Sequence, residues 1–449
     1  MIMQLNVFVS GRRVATLGSP DGFEHHLTYD RDVATADFAS LLMPVQAASW
    51  WWPTLHPFFQ VNLPEGYLLS VLKEQLGPHL GSRPLDLLSV VGQNMIGRVQ
   101  VGAGDSVTHA ATRLELEPLL HGNASAQVFK EMLREYATSG VSGVVPKFLT
   151  PETRALFRKG TLQTERHIVK SSAQQLPFMA LNEHLCMEVA RRTGFAAAAT
   201  EVSDDGQVLV VERFDVDAQT GLRLGFEDCC SLLGLSTDDK YNSTWERVSR
   251  LVRQWVPAPQ HRQAMEQLAV TLLLTYALGN SDCHTKNLGL LYSTADDVRV
   301  APIYDMLTIR AYERYADNPP GMFVDGRKSW NPGASLWRVL QQHLQVEPAR
   351  QRELVQRVCG AMSSVFPDLL HRVRHTPGFE LVGARMIWEW DAGLKRLQNR
   401  IQMAMPAFID RAQAAGVMAP PAPRKFAPQR IGESPLLGSR RSHSVQSPA

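Results

Sequence analysis

Near the start of the chain the apolar positions Leu5, Val7 and Val9 recur every second residue, Ser10-Gly11 interrupts them, and Val14 and Leu17 resume the pattern. A period of two broken by a turn pair predicts a β-hairpin that opens a small N-terminal unit, reaching to about residue 110. Within that unit Pro64 and Gly66 break the chain ahead of a helical pattern carrying Leu68, Leu69, Val71 and Leu72. LLSVVGQNMIGRVQVG then reads as an apolar strand pair around Gly92 and Gly97.

From about residue 136 the pattern changes to a Gly-rich turn, the strand HIVK, and a helix in which Leu181, Leu185 and Val189 recur every four residues before Gly194 ends it. QVLVVERFDV is strongly β-prone from Gln207. HRQAMEQLAVTLLLTYALG is apolar on nearly every face after Leu268, which predicts a buried helix ending at Gly279. NLGLLY and VRVAPIYD read as two strands joined by the polar turn Ser293 to Asp297, and the stretch from Val346 to about Gly416 is mostly helical by periodicity.

These patterns define an α+β chain with four expected segments: 1–110 as a β-rich N-terminal unit, 111–255 as a lobe with the Gly-rich loop, 256–417 as a mainly helical lobe, and 418–449 as a disordered basic tail. The tail holds six prolines and five serines, and its five basic residues face one acidic residue, so the net charge of +2 hides a faintly acidic body. Near-neutral bulk charge gives no sign of a nucleic-acid coat or a membrane-surface protein. The five cysteines are scattered without metal-ligand pairs, which fits a reducing cytoplasm. The first residues do not read as an export signal, and the longest apolar run, Ala269 to Leu278, is far too short to span a bilayer, so no membrane partner is expected.

Four features stand in the order that phosphoryl transfer needs: donors over phosphates, a cation beside them, metal ligands, and a carboxylate near the attacking hydroxyl. Gly140-Val141-Ser142-Gly143-Val144-Val145-Pro146-Lys147 allows close backbone approach to a phosphate, although the same residues also suit a plain turn. Lys170 ends HIVK, and Glu183 or Glu188 on the next helix offers it a partner carboxylate. GNSDCHTKN follows the buried helix directly. Asp282 and Asn287 within it are five apart, a spacing at which one loop can aim a carboxylate at a nucleophile and a carboxamide oxygen at Mg2+. Asp305 comes eighteen residues after Asn287, the length of a hairpin that would return it to the same metal. Taken singly, Asp282 suits a helix cap, His284 and Asn287 suit buried backbone, and Asp305 suits a turn. The ordered set favours a kinase-type site.

With these residues in hand, the chain resembles the HipA family of bacterial serine/threonine kinase toxins over nearly its whole length before the tail. The markers are PFFQVNLPEG (57–66), VVGQNMIGRVQV (90–101), SGVVPK (142–147), HIVK (167–170), NEHLCMEVARRTG (182–194), VERFD (211–215), FEDCCSLLGL followed by KY (226–241), GNSDCHTKN (279–287) and PIYD (302–305). The resemblance implies a two-lobed protein/lipid-kinase-like fold with an N-terminal β-rich subdomain and a mainly helical C-terminal lobe. It implies Asp282 as catalytic base, and Asn287 and Asp305 as Mg2+ ligands. ATP would be bound by Ser142, Gly143, Val144, Val145, Pro146, Lys147, Lys170, His284, Lys286 and Tyr304, with Glu212, Arg213 and Phe214 at the adenine edge through their backbone.

It further implies a protein substrate such as an aminoacyl-tRNA synthetase, a small helix-turn-helix antitoxin, and operator DNA reached only through that antitoxin. The patch His371 to His375 could add phosphate contacts there, or be solvated helix charge. Relatives commonly phosphorylate a serine three residues before the glycine that matches Gly143. Here that position is Gly140, so any self-modification is expected at Ser142. A small-molecule phosphotransferase and a non-catalytic, antitoxin-bound co-repressor are the competing readings.

Overall fold

In a computed structural model, residues 4–63, 83–106, 116–121, 125, 127, 161–163, 166–172, 176–217, 219–398 and 405–426 are described. The predicted hairpin is present: β1 (Gln4–Val9) and β2 (Arg12–Gly18) pair antiparallel through a turn in which Ser10 and Gly11 both take positive φ. Two such residues supply the twist that tight hairpins favour. β3 (His25–Tyr29), β4 (Trp50–Trp52) and β5 (Val99–Gly102) complete a sheet of order β4-β3-β2-β1-β5. Leu5, Val7, Val14, Leu17, Leu27, Phe59, Leu88 and Val101 form a core of its own beneath that sheet. The helical pattern of residues 67–72 lies outside the described residues.

The predicted strand pair around Gly92 and Gly97 is corrected. Pro84–Val91 is helix, a short 3-10 turn follows, and only Val99–Gly102 is strand. Pro84 sits where its missing N–H costs nothing, and the Asp86 carboxylate accepts the Arg83 backbone N–H at 3.1 Å. These start signals decide what a short apolar run leaves ambiguous.

Beyond residue 160, β6 (Thr161–Gln163), β7 (His167–Ser171), β8 (Thr200–Val202) and β9 (Val208–Glu212) form an antiparallel sheet of order β6-β7-β9-β8. Helix α1 (Met179–Arg192) packs against it. A second antiparallel sheet, β10 (Gly225–Asp228), β11 (Gly289–Tyr292) and β12 (Arg299–Val300), leads into the helical part. There α2 (His261–Leu278), α3 (Pro348–His375) and α4 (Glu380–Gln398) pack on one another. Every residue of α2 from Leu268 to Leu278 is buried, as its all-round apolar sequence requires. Among the described residues no helix is long and apolar enough to cross a membrane.

The second strand of the hairpin after Asn287 is shorter than its sequence suggests. The chain leaves β11 after Ala301, whose N–H still donates to Gly289 O at 2.9 Å. Residues beyond it bond elsewhere: Ile303 N donates to Ala196 O and Ala198 N donates to Ile303 O, both at 2.8 Å. This carries Asp305 to Lys170 on β7.

The N-terminal unit is bolted to the rest by buried polar contacts. Arg98 donates to Ser293 O at 2.7 Å and to the carbonyls of Ala36 and Phe38, with its guanidinium over the rings of Phe38 and Tyr292. Glu227 accepts from Ser40 Oγ, Leu41 N and Tyr292 Oη at 2.6–2.7 Å. Of the expected tail, residues 418–426 carry no regular structure, Arg424 N donates to Glu313 at 3.0 Å, and 427–449 lie outside the described residues.

Candidate active site

Helix α2 stops at Gly279, whose φ of +68° is left-handed and whose α-hydrogen faces Glu389, so a Cβ there would collide with that side chain. The chain turns into a loop organised by the fully buried Asn280. Its Oδ1 accepts Asp282 N at 3.0 Å and its Nδ2 donates to Asp305 O at 3.4 Å. Asp282 accepts a hydrogen bond from Tyr241 Oη, and His284 Nε2 stands 3.9 Å from the same carboxylate oxygen. Asn287 closes the loop: Oδ1 accepts His284 N at 3.1 Å and Nδ2 donates to Asp305 Oδ2 at 2.5 Å.

Lys170 approaches from β7. Its Nζ lies 2.6 Å from both Glu183 Oε1 and Asp305 Oδ1. Burial alone would lower the ammonium's pKa, but the carboxylates of Asp305 and Glu183 outweigh that and hold it above the ordinary lysine range. Lys170 is therefore charged throughout the physiological range. Asp305 itself has a φ of +59°, a strained conformation for a residue with a Cβ, and such strain persists where surrounding contacts impose it. Between the two partners that the sequence left open, the structure selects Glu183; Glu188 instead meets Arg191 at 2.5 Å.

Helix α1 cannot easily drift from Asp305. The buried Asn182, next to Glu183, bonds both backbone groups of Thr308: Nδ2 to Thr308 O at 3.0 Å and Oδ1 from Thr308 N at 2.8 Å. Trp390 Nε1 adds a 2.9 Å bond to Thr308 Oγ1. The carboxylates on either side of Lys170 thus belong to one pinned unit.

The other expected ligand residues are distributed around this centre. Glu212 ends β9 with its N–H donating to Ala199 O at 3.0 Å, and Arg213 N donates to Arg166 O at 2.8 Å. The Arg213 side chain is buried on Asp215, which also accepts Gly97 N at 2.7 Å, so it serves the junction with the N-terminal unit. Phe214 joins Phe226 and Tyr304 in an aromatic cluster, and Tyr304 Oη donates to Lys286 O at 2.7 Å. Lys286 extends to Val61 O at 2.9 Å, toward the N-terminal unit. Ser142, Gly143, Val144, Val145, Pro146 and Lys147 lie outside the described residues.

Tyr241, Asn280, Asn182 and Thr308 were not singled out by function in the sequence. Their signal, a small polar residue within an apolar helix or directly after one, is legible only for Asn182 and Asn280.

Chemically, the arrangement presents a permanent cation, a carboxylate and carboxamide in contact, and a separate carboxylate along the same loop. The oxygen donors of Asp305 and Asn287 are of the hard type that Mg2+ takes, and two protein ligands suffice for an ion that keeps waters and substrate phosphates as its others. Among the described residues no group of three or more His, Cys, Asp or Glu side chains gathers as a metal site.

A β-sheet carrying the lysine, a pinned helix carrying its glutamate and a helical part carrying the acidic loop define the two-lobed, kinase-like class of fold. Residues 139–366 match the family model of the HipA-like C-terminal domain, and residues 5–102 match that of the HipA N-terminal domain. The chain belongs to the HipA family. Its fold is similar to that of HipA from Shewanella oneidensis, solved in a complex of HipA, HipB and operator DNA, with a TM-score of 0.65 and 18% identity over 91% of this chain and 99% of that one.

Among curated relatives it is 27% identical over 341 residues to "Putative kinase Y4mE" of Sinorhizobium fredii, covering 69% of this chain and 78% of that protein. It is 25% identical over 165 residues to a "Putative kinase" of Haemophilus influenzae, covering 33% of this chain and 47% of the relative. The chain thus spans about half the length of the Haemophilus protein in that alignment.

Proposed function

We propose that this chain is an ATP- and magnesium-dependent protein serine/threonine kinase of the HipA toxin type. The observation that carries this reading is Lys170 held between Glu183 and Asp305 while Asp305 touches Asn287, with Asp282 on the same loop. Bound ATP supplies the phosphoryl group, and magnesium offsets the charge of its phosphates. Lys170 would present its ammonium to phosphate oxygens, and Asp305 and Asn287 would hold the metal. Asp282 accepts the proton that the acceptor hydroxyl loses as its oxygen bonds phosphorus and the bridging oxygen leaves with the diphosphate. The strand end Glu212 to Phe214 would border the adenine.

The acceptor is a cellular protein, with an aminoacyl-tRNA synthetase as the family expectation, and its modification arrests growth. A small helix-turn-helix antitoxin is the proposed partner, with operator DNA reached through it; the Shewanella relative was solved with HipB and operator DNA, which supports this. In the patch at 371–375, Val373 is buried and Arg372 donates to Asp204 O at 3.1 Å within the fold, whereas His371, Arg374 and His375 are exposed to solvent.

Incubation of the purified chain with γ-labelled ATP, Mg2+ and cell lysate should label a protein band, and Asp282→Asn should lower the labelling rate by about 100-fold or more. Labelling and growth inhibition unchanged in Asp282→Asn would remove the catalytic assignment. Phosphopeptide mapping of the chain itself should place any phosphate on Ser142; phosphate on Ser139 alone would reject that site.

A further inference from the structure

One hydrogen-bond partner of the Asp282 carboxylate comes from outside the catalytic loop. Tyr241 Oη donates to Asp282 Oδ1, and the loop bearing Tyr241 is stitched to the catalytic loop a second time, because Thr285 N and Oγ1 donate to Lys240 O at 3.2 and 2.9 Å. The Tyr241 ring stands edge-on to His284, with centroids 4.9 Å apart. Its backbone carbonyl accepts from Lys328 Nζ at 2.9 Å, and that ammonium also lies 4.7 Å from the centroid of the Phe323 ring. Lys328 belongs to the segment that follows Asp305. Three stretches of chain therefore meet at Tyr241.

A carboxylate free to rotate about its last torsion presents its oxygens over a broad range, since that torsion has no sharp minima. A donor fixed on one oxygen sets the plane of the group, and so the direction of the other. Hydrogen bonds to ionised groups are also the stronger ones, so this constraint is worth more than an ordinary contact. We propose that Tyr241, anchored by Lys328, is a positioning residue that orients the Asp282 carboxylate toward the acceptor hydroxyl. The inference rests on the kinase reading above. It predicts a specific kinetic signature: Tyr241 donates to the base, so its hydroxyl should influence the rate of transfer and leave nucleotide binding alone.

The test uses the full chain with γ-labelled ATP and Mg2+, dephosphorylated casein and the chain itself as acceptors, and a fluorescent ATP analogue for binding. Tyr241→Phe keeps the ring against His284 and removes only the hydroxyl. It should lose about 10- to 100-fold in saturating rate, with the half-saturating ATP concentration and analogue affinity within about twofold of wild type. Lys328→Met should show a smaller loss of the same kind.

A wild-type rate in Tyr241→Phe, or a rate loss matched by an equal loss of nucleotide affinity, would overturn the positioning role while leaving the kinase reading intact. A wild-type chain that labels neither acceptor, or an Asp282→Asn chain that labels both normally, takes down the kinase reading and this inference with it. The two failures therefore appear in different proteins.

Discussion

Lys170→Met is expected to destabilise the chain by about 3 kcal/mol and to lower phosphoryl transfer by about 100-fold or more. The ammonium lies 2.6 Å from oxygens of both Glu183 and Asp305, and the Glu183 side chain is only 3% exposed. Methionine keeps the length of the side chain and its packing along β7 but leaves two carboxylates facing each other across a partly desolvated gap. Removing one partner of such a cluster costs more than the pair contributed, because the remaining charges stay buried without compensation.

Stability and transfer can be separated. In Lys170→Met with Glu183→Gln the repulsion is gone, so denaturant unfolding should return most of the lost stability, whereas transfer should stay at the single-variant level because no cation faces the phosphates. If the double variant regained activity, Lys170 would be a structural residue only. If Lys170→Met unfolded at the wild-type midpoint, the charge cluster would not be under the electrostatic load inferred from its geometry.

The second large effect concerns pH and the junction between the N-terminal unit and the rest. Burial pushes the Glu227 carboxyl up to about 7, only partly opposed by hydrogen bonds from Ser40, Leu41 and Tyr292. A carboxyl whose folded pKa is raised holds its proton longer in the native state than in the unfolded chain. Its contribution is fully present below about pH 4.5 and is lost as pH rises through about 7, which amounts to about 3 kcal/mol by pH 8.

Glu227→Gln should remove that slope while keeping the contacts. The amide oxygen can accept from Leu41 N and Tyr292 Oη, and the amide nitrogen can donate to Ser40 Oγ, matching the partners that Glu227 has now. The variant should therefore be more stable than wild type at pH 8 and similar to it near pH 5. Some pH dependence should remain below about pH 6, because burial also raises the adjacent Asp228 to about 6, with Lys286 opposing. Parallel stability curves for Glu227→Gln and wild type between pH 5 and 8 would show that Glu227 is ionised at no cost in the folded chain.

Much of the fold could be read before any coordinates. The opening hairpin, the buried helix ending at Gly279 and the helices after Val346 follow from periodicity and from glycine at a helix end, which are local properties. The return of Asp305 to Asn287 was also foreseeable, since a hairpin of that length has few other ways to close. Less legible were segments where two local readings compete. The apolar run 87–102 satisfies a strand or a helix equally until Pro84 and Asp86 are weighed, and the residues after Ala301 continue the strand pattern but bond a different partner, Ile303 exchanging hydrogen bonds with Ala196 and Ala198.

The sequence by itself determined the chemical inventory: a lysine on a strand, a carboxylate and a carboxamide five residues apart, and a second carboxylate one hairpin later, in an order shared with the HipA family. Only the tertiary structure decided which groups meet. Glu183 and not Glu188 faces Lys170 because α1 is clamped at Asn182 to Thr308, which sets the rotation of the helix on the sheet. Lys286 reaches Val61, and Tyr241 reaches Asp282 across 41 residues of chain. Such pairings depend on how elements distant in sequence pack. A linear pattern records the period of each element but not its phase against its neighbours.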